Sequence, residues 1–321
     1  MSNYKKVASN IQQITITNPT TTNQVVWLNV INAGKKELDY LRKKFDFELP
    51  YLHASLANTT AQRPVINREE NYLFMILHFP VIKDGNIVAE EIDFFISHGY
   101  LITIHNNKLE ALNQFFNSCK KDINSLLAYQ FESSAVLLYE LLEKLMLNCF
   151  GLLDKNSLSI AKVEEIIFAQ KQKQAVSQIL SLRHGIINFR KIMQNHKNII
   201  KKLAQMESSI VPAEQIKVYY NRLIERSKQI WEILENQKEM IEVLNNTNES
   251  LLNYRLSDIM KTLTIFSVIV FPLTLLAAIF GMNILDGMPL IHIRHGFWII
   301  ISIMLTGSLI MLLFFERKKW L

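Results

Sequence analysis

Two stretches near the end of the chain are apolar on every side. No charged residue occurs from Thr262 to Leu285, and none from Phe297 to Phe315. Each run is close to the roughly 20 residues that a helix needs to cross the hydrocarbon core. A soluble helix rarely stays apolar on all faces for so long. The pattern predicts two transmembrane helices. Upstream, from about Ser133, leucine, isoleucine, lysine and glutamate dominate and proline is absent until Pro212. "SSAVLLYELLEKLMLNCFGLLDKNSLSIAKVEEIIFAQKQ" reads as one long helix and "AVSQILSLRHGIINFRKIMQNHKNIIKKLAQM" as a second, with a break at "ESSIVPAEQ". A third pattern starts near Ala213, with apolar positions from Val218 through Ile230, Leu234, Ile241 and Leu244 to Leu252. Neither Pro nor Gly interrupts it before the first span, so Ala213 to Phe280 would form roughly 100 Å of helix. Such a stalk needs partners to bury its stripe, which predicts an oligomer. Before Ser133 the alternation is that of strands. Ile11–Thr17 and Gln24–Ile31 flank the turn "NPTTTN", and the turn "KDGN" joins "NYLFMILHFPVI" to "IDFFISHGYLITIH". Lys35–Phe45 reads as a short helix. The expected division is a cytosolic α/β domain over 1–125, long cytosolic helices and stalk over 126–256, and a two-helix membrane domain over 257–321. The fold class is an α+β membrane protein.

Composition adds orientation and exclusions. The first twenty residues are polar and lack the apolar core of a secretory signal, so the part before the spans is expected in the cytosol. Arg255 and Lys261 precede the first span, and Arg317, Lys318 and Lys319 follow the second. Both basic flanks favour the cytoplasmic side, and two spans allow it. The protein is therefore expected in the cell (inner) membrane with both termini cytoplasmic. Asp286, His292, Arg294 and His295 would lie in a short outer loop. The net charge of +6 comes from scattered residues, with no basic block rich in aromatics, which argues against nucleic acid as a partner. Cys119 and Cys149 have no metal-type spacing and read as packed, reduced thiols. No phosphate loop, dinucleotide fingerprint, zinc spacing or Ser/His/Asp signature is present. The reading is not an enzyme, and no organic cofactor is expected.

The first span carries an internal pattern. Thr264, Ser267, Thr274, Ala278 and Gly281 fall on one helical face, with Phe271 filling the gap. Small and hydroxyl-bearing residues on one stripe pack against other helices or line water. The second span has only Ser302, Thr306, Gly307 and Ser308, as an outer, lipid-facing helix would. Pro272 removes one backbone hydrogen bond near mid-membrane.

The chain resembles the CorA magnesium channels over nearly its whole length. Their Gly-Met-Asn signature stands here as Gly281, Met282 and Asn283, at the end of "MKTLTIFSVIVFPLTLLAAIFGMN". Met288 and Pro289 follow in the loop, and "ERKKWL" ends the chain as basic family tails do. "WLNV" and "QRPVINREENYLFMILH" look like the family's first domain. The resemblance implies a homopentamer with a cytosolic funnel, whose five stalk helices continue as the pore wall. Ser257, Met260, Leu263, Ser267, Phe271, Thr274 and Ala278 would line that pore. Mg2+, with Co2+ and Ni2+ as further candidates, would be the transported ion. A ring of Asn283 amides would accept hydrogen bonds from the hydrated ion's waters, so that the contact to metal runs through water. Gly281 would allow an unusual turn or a close helix approach, and Met282 would pack to fix the loop.

The chain also departs from the family. Leu290 and Ile291 follow Met288 and Pro289 where the family has Glu-Leu, so Asp286 is the acid left in the outer loop. Ala54 and Ser55 replace a Glu-Asp pair. In the stalk, Arg222 stands where a family aspartate helps bind regulatory Mg2+ between subunits. Its expected substitute is a salt bridge to a neighbouring subunit's acid, with Glu69 or Glu70 as candidates. Two other functions compete with the Mg2+ channel. One is a zinc transporter of the related ZntB type, which typically has isoleucine at the Met282 position. The other is a membrane-anchored helical scaffold that transports nothing.

Overall fold

The computed structural model describes residues 3–17, 24–56, 62–121, 133–206, 213–282, 289–290, 293–318 and 320. The chain forms two compact units, Met1–Asn245 and Asn246–Leu321. The turn "NPTTTN", most of the "ESSIVPAEQ" break, and Asn283, Asp286, Ile291 and His292 lie outside the described residues.

The first unit is built on a seven-stranded sheet: β1 (Asn3–Lys6), β2 (Ile11–Thr17), β3 (Gln24–Ile31), β4 (Val65–Arg68), β5 (Leu73–Lys83), β6 (Asn86–Ser97) and β7 (Tyr100–His105). Their order is β1-β2-β3-β7-β6-β5-β4. The β3–β7 pair is parallel and the other pairs are antiparallel. The β5–β6 hairpin turns on Asp84 and Gly85, with φ of 51° and 77°. Two successive left-handed residues are what a tight hairpin with the native twist requires. A second hairpin, at His98–Gly99, divides "IDFFISHGYLITIH" into β6 and β7; Ser97 pairs with Tyr100 across it.

The sheet is covered on both faces. Leu28, Val30, Phe74, Ile76, Phe95, Ile102 and Ile104 pack with Leu38, Leu41 and Leu52 of helices α1 (Lys35–Phe45) and α2 (Leu49–Ala54). The Glu37 carboxylate accepts the Gly34 N–H at 3.0 Å and starts α1. On the other face Trp27 meets Phe115 and Phe116 of α3 (Glu110–Lys121), with ring centroids 5.6 and 4.9 Å away.

The helices that follow are α4 (Ser134–Phe168), α5 (Gln172–Met193), α6 (His196–Gln205) and α7 (Ala213–Phe280). The Ser133 hydroxyl caps α4 by accepting the Val136 N–H. The second helical pattern is broken at Gln194–Asn195, where His196 turns in against the Phe79 ring and is fully buried.

In the first unit α7 runs parallel to α4. The Tyr220 hydroxyl donates to the Ala135 carbonyl at 2.9 Å, Arg226 to Glu143 at 3.3 Å, and Gln237 to the Leu153 carbonyl at 2.8 Å. The buried positions of α7 here are Tyr220, Leu223, Ser227, Ile230, Leu234, Gln237, Ile241 and Leu244. Their steps alternate three and four, the spacing of a coiled-coil seam. This corrects the inference drawn from the stalk stripe: the chain's own helices bury this seam, so the seam does not by itself require a second chain. Val218 and Val243 remain exposed on other faces.

The second unit contains the rest of α7 and α8 (Gly296–Arg317). Helix α7 stays continuous through Pro272 and ends at Phe280, short of the end of the apolar run at Leu285. Both helices are long and apolar enough to cross a membrane, and within one chain almost none of either apolar stretch is buried.

Candidate functional site

The residues singled out in the first span all lie on one continuous helix. Ser257, Met260, Leu263, Phe271, Thr274 and Ala278 are exposed and Ser267 is partly buried. Phe271 is the most exposed of the large ones, at 70%. In one chain the lipid-type residues Phe266 and Leu275 are exposed as well, so the stripe is distinguished by its chemistry rather than its accessibility. The hydroxyls have a shared geometry. Thr264 donates to the Met260 carbonyl at 2.8 Å, Ser267 to Leu263 at 2.9 Å and Thr274 to Val270 at 2.9 Å. Each spends its one proton on its own helix, four residues back. The oxygen's remaining lone-pair capacity faces away from the helix. A stripe of this kind offers acceptors and withholds donors.

At the end of α7 the Gly281 N–H reaches the Ala277 carbonyl at 2.9 Å and the Met282 N–H reaches Ile279 at 3.3 Å. Among the described residues Gly85 is the one glycine with positive φ. Gly281 thus has no positive φ, and of the two roles expected for it, an unusual turn or a close helix approach, the second remains a proposal for the assembled protein. A Cβ there would stand 3.0 Å from the Ala277 carbonyl oxygen, so its small size lets the helix close its last turn. Met282 is 50% exposed in one chain. Asn283 and Asp286 lie outside the described residues.

Arg222 is exposed on α7 beside Tyr139 and Glu140 of α4. Burial raises the Glu140 pKa, while Lys144 and Arg222 pull it down. The Tyr139 ring stacks on Tyr219 at 4.8 Å. Glu69, one of the two acids expected to meet Arg222 from a neighbouring subunit, accepts the Tyr51 hydroxyl of its own chain at 2.6 Å.

A second polar centre lies in the sheet, and the sequence reading did not single it out. His105 Nδ1 accepts the Asn107 N–H at 3.1 Å, which leaves Nε2 to donate to Asn29 Oδ1 at 2.9 Å. Burial lowers the His105 pKa to about 4, so the ring is neutral. Thr103 donates to the same Asn29 oxygen at 2.9 Å and receives Trp27 Nε1–H at 3.1 Å. Nearby, burial and then the Glu91 charge push the Asp93 carboxyl well above the usual carboxylate range, against a hydrogen bond with Ser55. The available signal was Asp93 itself, a lone acid inside the apolar run "IDFFI". Both cysteines are buried, free thiols as expected, and burial raises the Cys119 pKa to about 12. Among the described residues no three His, Cys, Asp or Glu side chains are grouped so as to hold a metal ion.

Comparison with known proteins identifies the family. The family model described as "CorA-like Mg2+ transporter protein" matches residues 22–318. The cobalt/magnesium transport protein CorA of Thermotoga maritima is 24% identical over 298 residues, which cover 92% of this chain and 83% of the relative. The complete structure of the CorA magnesium transporter from Methanocaldococcus jannaschii superposes with a TM-score of 0.85 at 19% identity, covering 99% of this chain and 100% of that one. The ZntB cytoplasmic domain from Vibrio parahaemolyticus matches at a TM-score of 0.58 and 13% identity, over 77% of this chain and 100% of that domain. The last two likenesses establish the fold alone; the match along nearly the whole sequence establishes the family, and this chain belongs to the CorA-like Mg2+ transporter proteins.

Proposed function

We propose that the protein is a channel for divalent cations, with Mg2+ as substrate, in the cell membrane with both termini cytoplasmic. Five copies would place their α7 helices around a common axis and their α8 helices outside. The observation that carries this reading is the acceptor-only stripe on a continuous α7 that leads directly into Gly281, Met282 and Asn283. The three-part division at 125 and 256 then has a functional sense: sensor domain, stalk and pore.

Mg2+ demands an octahedron of oxygens and loses its waters reluctantly. A conduction path need not strip it if its walls accept hydrogen bonds from those waters. Five Asn283 amide oxygens would do so at the mouth, and Ser267 and Thr274 would do so further in. Neutral acceptors bind weakly enough to release the ion, as conduction requires, whereas a carboxylate ring would hold it harder. The same acceptors repel anions. Leu263 and Phe271 would form apolar rings that close the path by dewetting. The driving force is the membrane potential, worth about 2.3 kcal/mol per elementary charge per 100 mV.

The fold of the soluble part does not separate this reading from a ZntB-type zinc transporter. Met282 does, since that type typically carries isoleucine there. The test is complementation of a bacterial strain that needs high external Mg2+. Growth at low Mg2+ supports the channel; a correctly inserted protein that gives no growth at any expression level refutes it.

A further inference from the structure

We propose that a cleft inside each subunit's sheet domain, separate from the pore, binds a divalent cation with part of its water shell through the Asp93 carboxylate. The cleft has a volume of about 140 Å³ and is lined by Ser55 and Leu56 after α2, by Glu90, Glu91 and Asp93 of β6, and by His105 and Asn106 at the end of β7. That is room for a few waters or for an ion carrying several of its own. No lysine or arginine is among the lining residues.

The three carboxylates differ in what already satisfies them. Glu90 is held by Lys108 Nζ at 2.9 Å and by the Asn106 amide. Glu91 receives the Gln62 N–H at 2.7 Å and contacts His78 Nε2 at 3.1 Å, both through Oε2. Asp93 is 2% exposed, and its Oδ1 has no hydrogen-bond partner. The Ser55 hydroxyl lies within hydrogen-bond reach of Asp93 but has one proton, and it is placed to donate that proton to the Tyr51 carbonyl at 3.1 Å. Burial favours the protonated Asp93 in the empty cleft, and one of its oxygens still lacks a partner, which is costly; a cation in the cleft would take the place of that proton and supply the missing partner.

The chemistry of the walls selects the occupant. His105 is not a ligand, because both ring nitrogens are committed, to Asn107 and Asn29. The other donors are oxygens, which suit a hard cation and not a thiophilic one. Asp93 and Glu91 are two residues apart on one strand face, roughly 7 Å along the strand. That spacing suits an ion bound directly by one carboxylate and reaching the second through water. Among the described residues no three His, Cys, Asp or Glu side chains are grouped as ligands, here or elsewhere, so water would complete most of the ion's shell. One or two carboxylates plus retained waters is how Mg2+ usually binds proteins. The cleft lies within one chain and does not involve the stalk position occupied by Arg222.

The test uses Mn2+ as the probe, titrated into the full-length protein in detergent with free Mn2+ read by electron paramagnetic resonance. Wild type should bind one Mn2+ per chain more than Asp93→Asn, and excess Mg2+ should displace that ion. Ions bound at the pore are common to both proteins and cancel in the difference, so the outcome is independent of whether the protein transports. Equal Mn2+ counts would mean that the cleft holds water alone and would overturn the proposal. Should Asp93→Asn fail to assemble, wild-type crystals grown with Mn2+ decide: an anomalous peak beside Asp93 supports the site, and none refutes it.

Discussion

At the scale of single residues, the account depends on where hydrogen-bond donors point. Within one chain Thr264, Ser267 and Thr274 direct their protons to their own helix, which leaves their oxygens as acceptors suited to the waters of a cation. In the proposed channel an Asn283 ring would serve the same purpose at the mouth. Asn283→Ala should abolish Mg2+ uptake while the oligomer still elutes at its wild-type size in detergent; normal uptake would remove the selectivity role. His105 gives a pH prediction of a different kind. Its pKa is lowered to about 4 from an ordinary 6.5. On acidification the unfolded chain takes the proton first. The stabilisation is therefore complete above about pH 6.5 and is lost as pH falls towards 4, a change of roughly 3 kcal/mol. Thermal midpoints of wild type should fall more steeply than those of His105→Gln over that window; parallel curves would mean that the ring is not held neutral. The stripe was legible in the sequence because it is a regular pattern on one helix, and the Gly-Met-Asn run because it is a contiguous signature directly after that helix. The Asn29–Thr103–His105 network was not, because residues 74–76 positions apart meet only once β3 and β7 pair in parallel, and the Asp93 cleft was not, because it forms only where the end of α2 meets β6 and β7.

At the scale of elements, length decided what could be read. The long helices and the central strands have enough periods to stand out. β1 and β4 have four residues each, and α2 has six; too few for a pattern, they are fixed by the neighbours they pair with. The α7 seam shows the limit from the other side. Its period was visible, but its partner was not, and the partner is the chain's own α4. The entry to α8 carries its own prediction. A Cβ on Gly296 would stand 2.1 Å from the Leu290 carbonyl oxygen, and Leu290 is already at a φ of +72°. Gly296→Ala must therefore displace the segment before α8, at a cost on the order of 2 kcal/mol or more. It should lower the thermal midpoint in detergent, whereas Gly307→Ala, with nothing within 4 Å of the added carbon, should not. Equal midpoints would show that the turn before α8 is free to move.

At the scale of the whole molecule, the proposed regulation turns on Arg222, which the resemblance sets at a stalk position where the family has a carboxylate. If that position is the regulatory one, as proposed, the fixed positive charge of Arg222 would stand where Mg2+ needs oxygen, and two like-signed charges a few ångströms apart repel appreciably even at an effective dielectric of about 20. Uptake should therefore depend only weakly on internal Mg2+, and Arg222→Asp should steepen that dependence; a wild-type protein that already shuts sharply would contradict the assignment. The measurement that bears most directly on the central claim is dye-reported Mg2+ entry into sealed vesicles containing the purified protein, with an inside-negative potential imposed. The account predicts entry that rises with the potential, needs no pH gradient and disappears with Asn283→Ala. Vesicles with correctly assembled protein that take up no more Mg2+ than protein-free ones would contradict it.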